Sequence, residues 1–101
     1  MERGLNTKCL HLEESEGRTD NYGAISFPIF QTATYAHPGV GESTGYDYSR
    51  LQNPTREHLE KILANLEGGI DAFALSTGMA AVTLLMEYFN PGDHFVVESD
   101  L

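Results

Sequence analysis

The chain has 101 residues, with fifteen Asp and Glu against six Lys and Arg, and a formal net charge of −9. This length fits one domain at most, since domains usually take roughly 100 to 200 residues. A chain with this negative charge repels nucleic-acid phosphates and anionic lipid surfaces. We therefore predict that it binds neither nucleic acid nor a membrane surface. It has no apolar stretch of about 18 residues, and its N-terminus lacks the apolar core of a secretory signal.

Cysteine and histidine usage indicates a reducing compartment. Cys9 is the single cysteine and cannot form an internal disulfide, and the four histidines show no metal-ligand spacing. A cytoplasmic protein without a structural metal is therefore expected.

The first half of the chain, residues 1–52, has little periodic structure. Residues 24–35 are apolar and favour a β conformation, but Pro28 argues against a central strand. Ordering each backbone residue costs about 1 to 2 kcal/mol, so a small independent domain should not carry so irregular a half. Five aromatic residues between Tyr22 and Tyr46 argue against disorder. We therefore expect this half to lie along a larger body.

The second half opens with a helix. Asn53-Pro54-Thr55 combines a capping residue with proline in the first turn. An apolar stripe follows at helical spacing and Gly68-Gly69 ends the helix; its members are Leu59, Ile62, Leu63 and Leu66. Arg56, in the first turn, is expected at the surface.

The remaining pattern is strand, helix, strand. It predicts a short strand at 71–75, a helix at 79–89 and a buried strand at 94–97. Such a βαβ unit implies parallel strands, and a parallel sheet needs both faces covered. The pattern therefore indicates an α/β fold with most of its sheet outside these residues.

Two short segments are candidates for chemistry. Ser76-Thr77-Gly78-Met79 precedes the second helix, whose free N–H groups would attract an anion; the alternative is an ordinary strand-to-helix turn. Residues 46–50 bring Arg50 beside tyrosines, a pairing that suits a phosphate or carboxylate. The alternative there is an exposed Arg50 paired with Glu57 or Asp47.

Together the motifs resemble those of the pyridoxal-phosphate (PLP) enzymes of cysteine and methionine metabolism. That family includes cystathionine gamma-synthase, cystathionine gamma- and beta-lyases, methionine gamma-lyase and O-acetylhomoserine sulfhydrylase. The motifs in order are Tyr22-Gly23-Ala24-Ile25, 28–35, Tyr48-Ser49-Arg50, Asn53-Pro54-Thr55, Leu59-Glu60, Leu66-Glu67-Gly68-Gly69, 76–81 and Gly92-Asp93-His94. Thr77 stands where the family more often has Ser, and it keeps the hydroxyl.

The resemblance assigns the site residues. The backbone N–H groups of Gly78 and Met79, next to Thr77, would hold the cofactor phosphate. Tyr48 and Arg50 would reach into the active site of a neighbouring subunit and bind the cofactor phosphate there, in a homo-oligomer (dimer or tetramer) with shared active sites. It implies a fold-type I PLP enzyme, with 1–52 as an extended arm on the neighbouring subunit and 53–101 as the start of the cofactor domain.

The resemblance also implies that these residues are an N-terminal fragment. Such enzymes run to roughly 400 residues, and Lys8 and Lys61 lack the desolvated setting that activates a cofactor lysine. We expect no catalytic residue in the fragment itself. The parent would catalyse gamma-replacement, or gamma- or beta-elimination, on sulfur-containing or homoserine-ester amino acids. The synthases, lyases and sulfhydrylases share these motifs. The alternative is a non-catalytic acidic interaction module derived from such an enzyme.

Overall fold

A computed structural model describes residues 4–11, 22 and 24–100. The described part contains the helices α1 (Leu5–Leu10), α2 (Pro54–Glu67) and α3 (Gly78–Glu87). Of these, α1 and α2 lie against each other, whereas α3 packs on neither. Residues 1–3, 12–21 and 23 of the predicted arm lie outside the described residues.

Helix α2 begins and ends where the sequence predicts. The side chain of Asn53 accepts a hydrogen bond from the backbone N–H of Thr55 at 2.9 Å, and Pro54 occupies the first turn. At the other end Gly68 adopts a left-handed conformation, with φ 66°, and the N–H of Gly69 reaches the carbonyl of Ala64 at 2.8 Å. A residue with a Cβ would be strained at this φ, which is why glycine follows the helix.

Helices α1 and α3 differ from what the sequence predicted. The sequence pattern did not predict α1, which lacks a capping side chain and lies against α2. Helix α3 begins at Gly78, one residue before the predicted start, and ends at Glu87, two residues before the predicted end. Its start is set by Thr77, whose hydroxyl accepts from the N–H of Ala80 at 3.0 Å.

The two predicted strands, 71–75 and 94–97, are not present as strands. A strand needs a neighbouring strand for its hydrogen-bond ladder, and the described residues supply none. The N–H of Ala72 instead reaches the side chain of Asp71, and the N–H of Ala74 reaches Glu60 Oε1 at 2.8 Å. The only β pairing in the described part is an isolated antiparallel bridge between Thr34 and Tyr48.

The described chain is extended and has no apolar core. Its Cα radius of gyration is 17.5 Å, whereas a compact domain of 100 residues has about 13 Å. Pro54 is the one buried residue among those described, and Phe73, Leu85 and Val97 are largely exposed. The helices are therefore not held by a core of their own.

Candidate functional site

The segment that carries Tyr48 and Arg50 is held against residues 30–35. The N–H of Ser49 donates to the carbonyl of Ala33 at 2.8 Å, and the N–H of Tyr35 donates to the carbonyl of Asp47 at 3.2 Å. These bonds flank the Thr34–Tyr48 bridge. The apolar segment that the sequence marked as β-like therefore serves as the support for this turn.

Asn53 and Thr55 hold the segment 30–35 against the start of α2 by hydrogen bonds. The amide of Asn53 donates to the carbonyl of Phe30 at 3.1 Å and to the hydroxyl of Ser49 at 3.0 Å. The hydroxyl of Thr55 accepts from the N–H of Phe30 at 2.9 Å. The Asn-Pro-Thr sequence thus caps the helix and also joins three separate parts of the chain.

Arg50 is available to a ligand. Its guanidinium carbon lies 4.9 Å from the centre of the Tyr48 ring, a cation–π arrangement. The carbonyl of Tyr48 accepts from the N–H groups of Leu51 and Gln52, both at 2.9 Å, which closes the turn. Arg50 is exposed and forms no ion pair within the described residues, so the expected alternative of a pair with Glu57 or Asp47 is absent there.

Arg56 holds the turn of Tyr48 and Arg50 to α2. It was expected at the surface, and its side chain is partly exposed, but its guanidinium also donates to the carbonyls of Ser49, at 3.4 Å, and Leu51. Its Nε lies 3.7 Å from Glu60 Oε1. The available signal was the i,i+4 spacing of Arg56 and Glu60, which also occurs on ordinary exposed helix faces.

Tyr46 and Glu57 form a second attachment between the turn and α2. The phenol of Tyr46 donates to Glu57 Oε2, and Lys61 Nζ lies 2.5 Å from Glu57 Oε1. Burial, with the hydrogen bond and charge of Glu57, raises the pKa of Tyr46 to about 12. The hydrogen bonds from Lys61 and Tyr46 lower the pKa of Glu57.

The start of α3 offers donors for an anion. The first N–H groups of a helix have no intrahelical partner, and those of Gly78 and Met79 have no other acceptor in the described part. A Cβ built on Gly78 would meet no atom within 4 Å, so the space beside the backbone is open. Thr77 uses its oxygen as the cap and still has its hydroxyl proton to donate.

These features are suited to an anion such as a phosphate. Unpaired backbone N–H groups at a helix start and an arginine without a carboxylate partner are the donors that a phosphate requires. Among other chemistries, no group of three potential metal ligands occurs in the described residues. None of the helices in the described part has both the length and the apolar character needed to cross a membrane.

Comparison with known proteins identifies relatives along nearly the whole chain. The family model described as Cys/Met metabolism PLP-dependent enzyme matches residues 6–101. Cystathionine gamma-lyase of Bacillus subtilis is 51% identical over 96% of this chain and 26% of the relative. Cystathionine gamma-synthase of Haemophilus influenzae is 48% identical over 89% of this chain and 25% of the relative.

A solved structure is similar to this chain in both sequence and backbone conformation. The cystathionine gamma synthase of Xanthomonas oryzae pv. oryzae, crystallised with aminoacrylate and cysteine, matches with a TM-score of 0.75 and 35% identity. The match covers 92% of this chain and 24% of that one. The chain thus spans about a quarter of the length of the relatives it matches.

Proposed function

The chain belongs to the Cys/Met metabolism PLP-dependent enzyme family, and from that premise we propose that it is the N-terminal quarter of a transsulfuration enzyme. The parent catalyses gamma-replacement, or gamma- or beta-elimination, on a sulfur-containing or homoserine-ester amino acid in the cytoplasm. Residues 1–52 form an arm on a neighbouring subunit, and residues 53–101 begin a fold-type I cofactor domain.

In this proposal two elements bind cofactor phosphate. Thr77, with the N–H groups of Gly78 and Met79, holds the phosphate in the chain's own site. Tyr48 and Arg50 hold the phosphate in the site of the neighbouring subunit. When bound, PLP supplies an electron sink for the bond-breaking steps at the amino-acid substrate. The residues of this chain bind and orient the cofactor.

The observation that carries the proposal is the state of Arg50. The chain has fifteen acidic residues and six basic ones. Arg50 nevertheless has no acidic partner in the described part, while Arg56 and Lys61 both have one. A planar guanidinium without a carboxylate, stacked on Tyr48, retains its paired N–H donors for a phosphate.

The test is PLP binding by the full-length protein. We expect Arg50→Ala to raise the PLP dissociation constant by about 10- to 100-fold, since a hydrogen bond to a charged group contributes about 1.5 to 3 kcal/mol. Lys8→Ala removes one positive charge from α1 and serves as the control. Equilibrium dialysis with the apoenzyme gives both constants, and equal values for the two variants would contradict the role of Arg50.

A further inference from the structure

We propose that Arg56 and Glu60 are positioning residues that couple the turn of Tyr48 and Arg50 to the segment leading into Thr77. The proposal rests on the proposed function, in which both elements bind phosphate. Because Tyr48 and Arg50 would serve a neighbouring subunit and Thr77 the chain's own site, the pair would make the geometry of one site depend on the other.

The proposed link between the two phosphate-binding elements has two halves. The first half joins α2 to the turn of Tyr48 and Arg50. The guanidinium of Arg56 donates to the carbonyls of Ser49 and Leu51, which flank Arg50 in the sequence. The planar guanidinium of an arginine has several N–H donors in a fixed geometry, so it can hold two carbonyls in a fixed relation to each other. The ammonium of a lysine, on its flexible side chain, does this less well. The backbone of Arg50 is therefore fixed on both sides while its side chain stays available.

The second half joins α2 to the segment before α3. Glu60 Oε1 faces Arg56 Nε at 3.7 Å and accepts from the N–H of Ala74 at 2.8 Å. Ala74 lies three residues before the helix cap Thr77. One carboxylate oxygen therefore faces both the arginine that holds the turn and the backbone that leads to Gly78.

The environment of the pair distinguishes it from an ordinary surface ion pair. The side chains of Arg56 and Glu60 retain 35% and 19% of their exposure. Each also binds the main chain outside α2: Arg56 reaches the carbonyls of Ser49 and Leu51 before the helix, and Glu60 reaches the N–H of Ala74, 14 positions along the chain. Glu57 and Lys61 form an ion pair of the same i,i+4 spacing on the same helix, in which Lys61 binds Glu57 alone within the described part. Lys61 is therefore a matched control position.

Two measurements on the full-length apoenzyme test the link. Equilibrium dialysis gives the PLP dissociation constant, and hydrogen exchange reports the backbone of 47–52 and of 71–77 without cofactor. We expect Arg56→Ala to raise the dissociation constant about tenfold and to speed exchange in both segments. Arg56→Lys should recover less than half of the PLP binding free energy that Arg56→Ala loses. Lys61→Gln should leave both measurements within twofold of wild type.

Glu60 variants test whether the 71–77 segment and the 47–52 turn are coupled, starting from the residue that binds Ala74. Glu60→Gln keeps an acceptor for Ala74 but removes the charge that faces Arg56. We expect faster exchange at 47–52 even though Glu60 does not touch that turn. Arg56→Ala combined with Glu60→Ala should weaken PLP binding no more than the worse single variant, because the two act as one unit.

The outcomes separate this link from the proposed function. If Arg50→Ala weakens PLP binding but Arg56→Ala and Glu60→Gln leave exchange in the distant segment unchanged, the link is wrong and the proposed function stands. If Arg50→Ala has no effect on PLP binding, the proposed function fails, and the exchange data alone decide whether the two segments are coupled. Should Arg56→Ala not fold, Arg56→Lys and Glu60→Gln supply the same comparison.

Discussion

At the scale of single residues, Asn53 has more roles than its position in the sequence suggests. Its side-chain oxygen caps α2, and its amide donates to Phe30 and Ser49. Capping alone contributes about 0.5 to 2 kcal/mol. The donated bonds add to this because they hold the support of the Tyr48 turn against the helix.

Asn53→Asp separates these roles. The carboxylate keeps the acceptor for the cap, but it cannot donate to the carbonyl of Phe30. We expect Asn53→Asp to lower the urea unfolding midpoint of the full-length protein, by the loss of two hydrogen bonds of about 0.5 to 1.5 kcal/mol each. Asn53→Ala should lower it as well. A midpoint equal to wild type for Asn53→Asp would mean that the cap is the whole contribution of Asn53.

At the scale of elements, α2 is the part to which the other described segments attach. It contacts α1, takes the 46–52 turn through Arg56 and Glu57, and reaches 71–75 through Glu60. On its side, His58 stacks on Phe27 with ring centroids 4.0 Å apart and planes 8° apart. The apolar segment 24–35 thus packs on α2 through an aromatic contact.

The His58 contact makes stability depend on pH. Burial, and then the charge of Lys61, lower the pKa of His58 from 6.5. The unfolded chain therefore binds a proton more readily, and the contribution of neutral His58 is complete above pH 6.5 and is lost as the pH falls below it. We expect the unfolding midpoint of wild type to fall more than that of His58→Phe between pH 7 and 5.

The control for this prediction is Glu57→Gln. The pKa of Glu57 is lowered from 4.5, so its contribution is lost only as the pH falls below 4.5. Between pH 7 and 5 the midpoint of Glu57→Gln should therefore follow wild type with a constant offset. Parallel curves for wild type and His58→Phe would show that His58 does not couple to folding.

At the scale of the whole molecule, the described chain presents apolar surface that it does not bury. Helix α3 and residues 95–97 carry exposed apolar side chains; among them are Met79, Leu85, Val96 and Val97. A parallel sheet would cover such faces in an α/β protein. The match to a quarter of a longer solved structure supports the proposal that further chain supplies that cover.

The proposed sharing of sites between subunits has a direct test. We expect two full-length variants, Arg50→Ala assayed at a PLP concentration too low to load it and one without the cofactor lysine, to regain activity when their subunits are mixed. Half of the dimers are then mixed, and each holds one site with an intact lysine and an intact neighbouring Arg50, so activity should approach about one quarter of wild type. No recovery, with mixed dimers seen by mass spectrometry, would place Arg50 in the chain's own site.

The sequence by itself determined the features that depend on neighbouring residues. The cap and end of α2, the start of α3 near Thr77 and the family motifs all follow from local propensity and spacing. Only the tertiary structure decided which distant groups these residues meet. Asn53 contacts Phe30 across 23 residues and Glu60 contacts Ala74 across 14. The predicted strands failed for the same reason, because a ladder forms only where another segment supplies its partners.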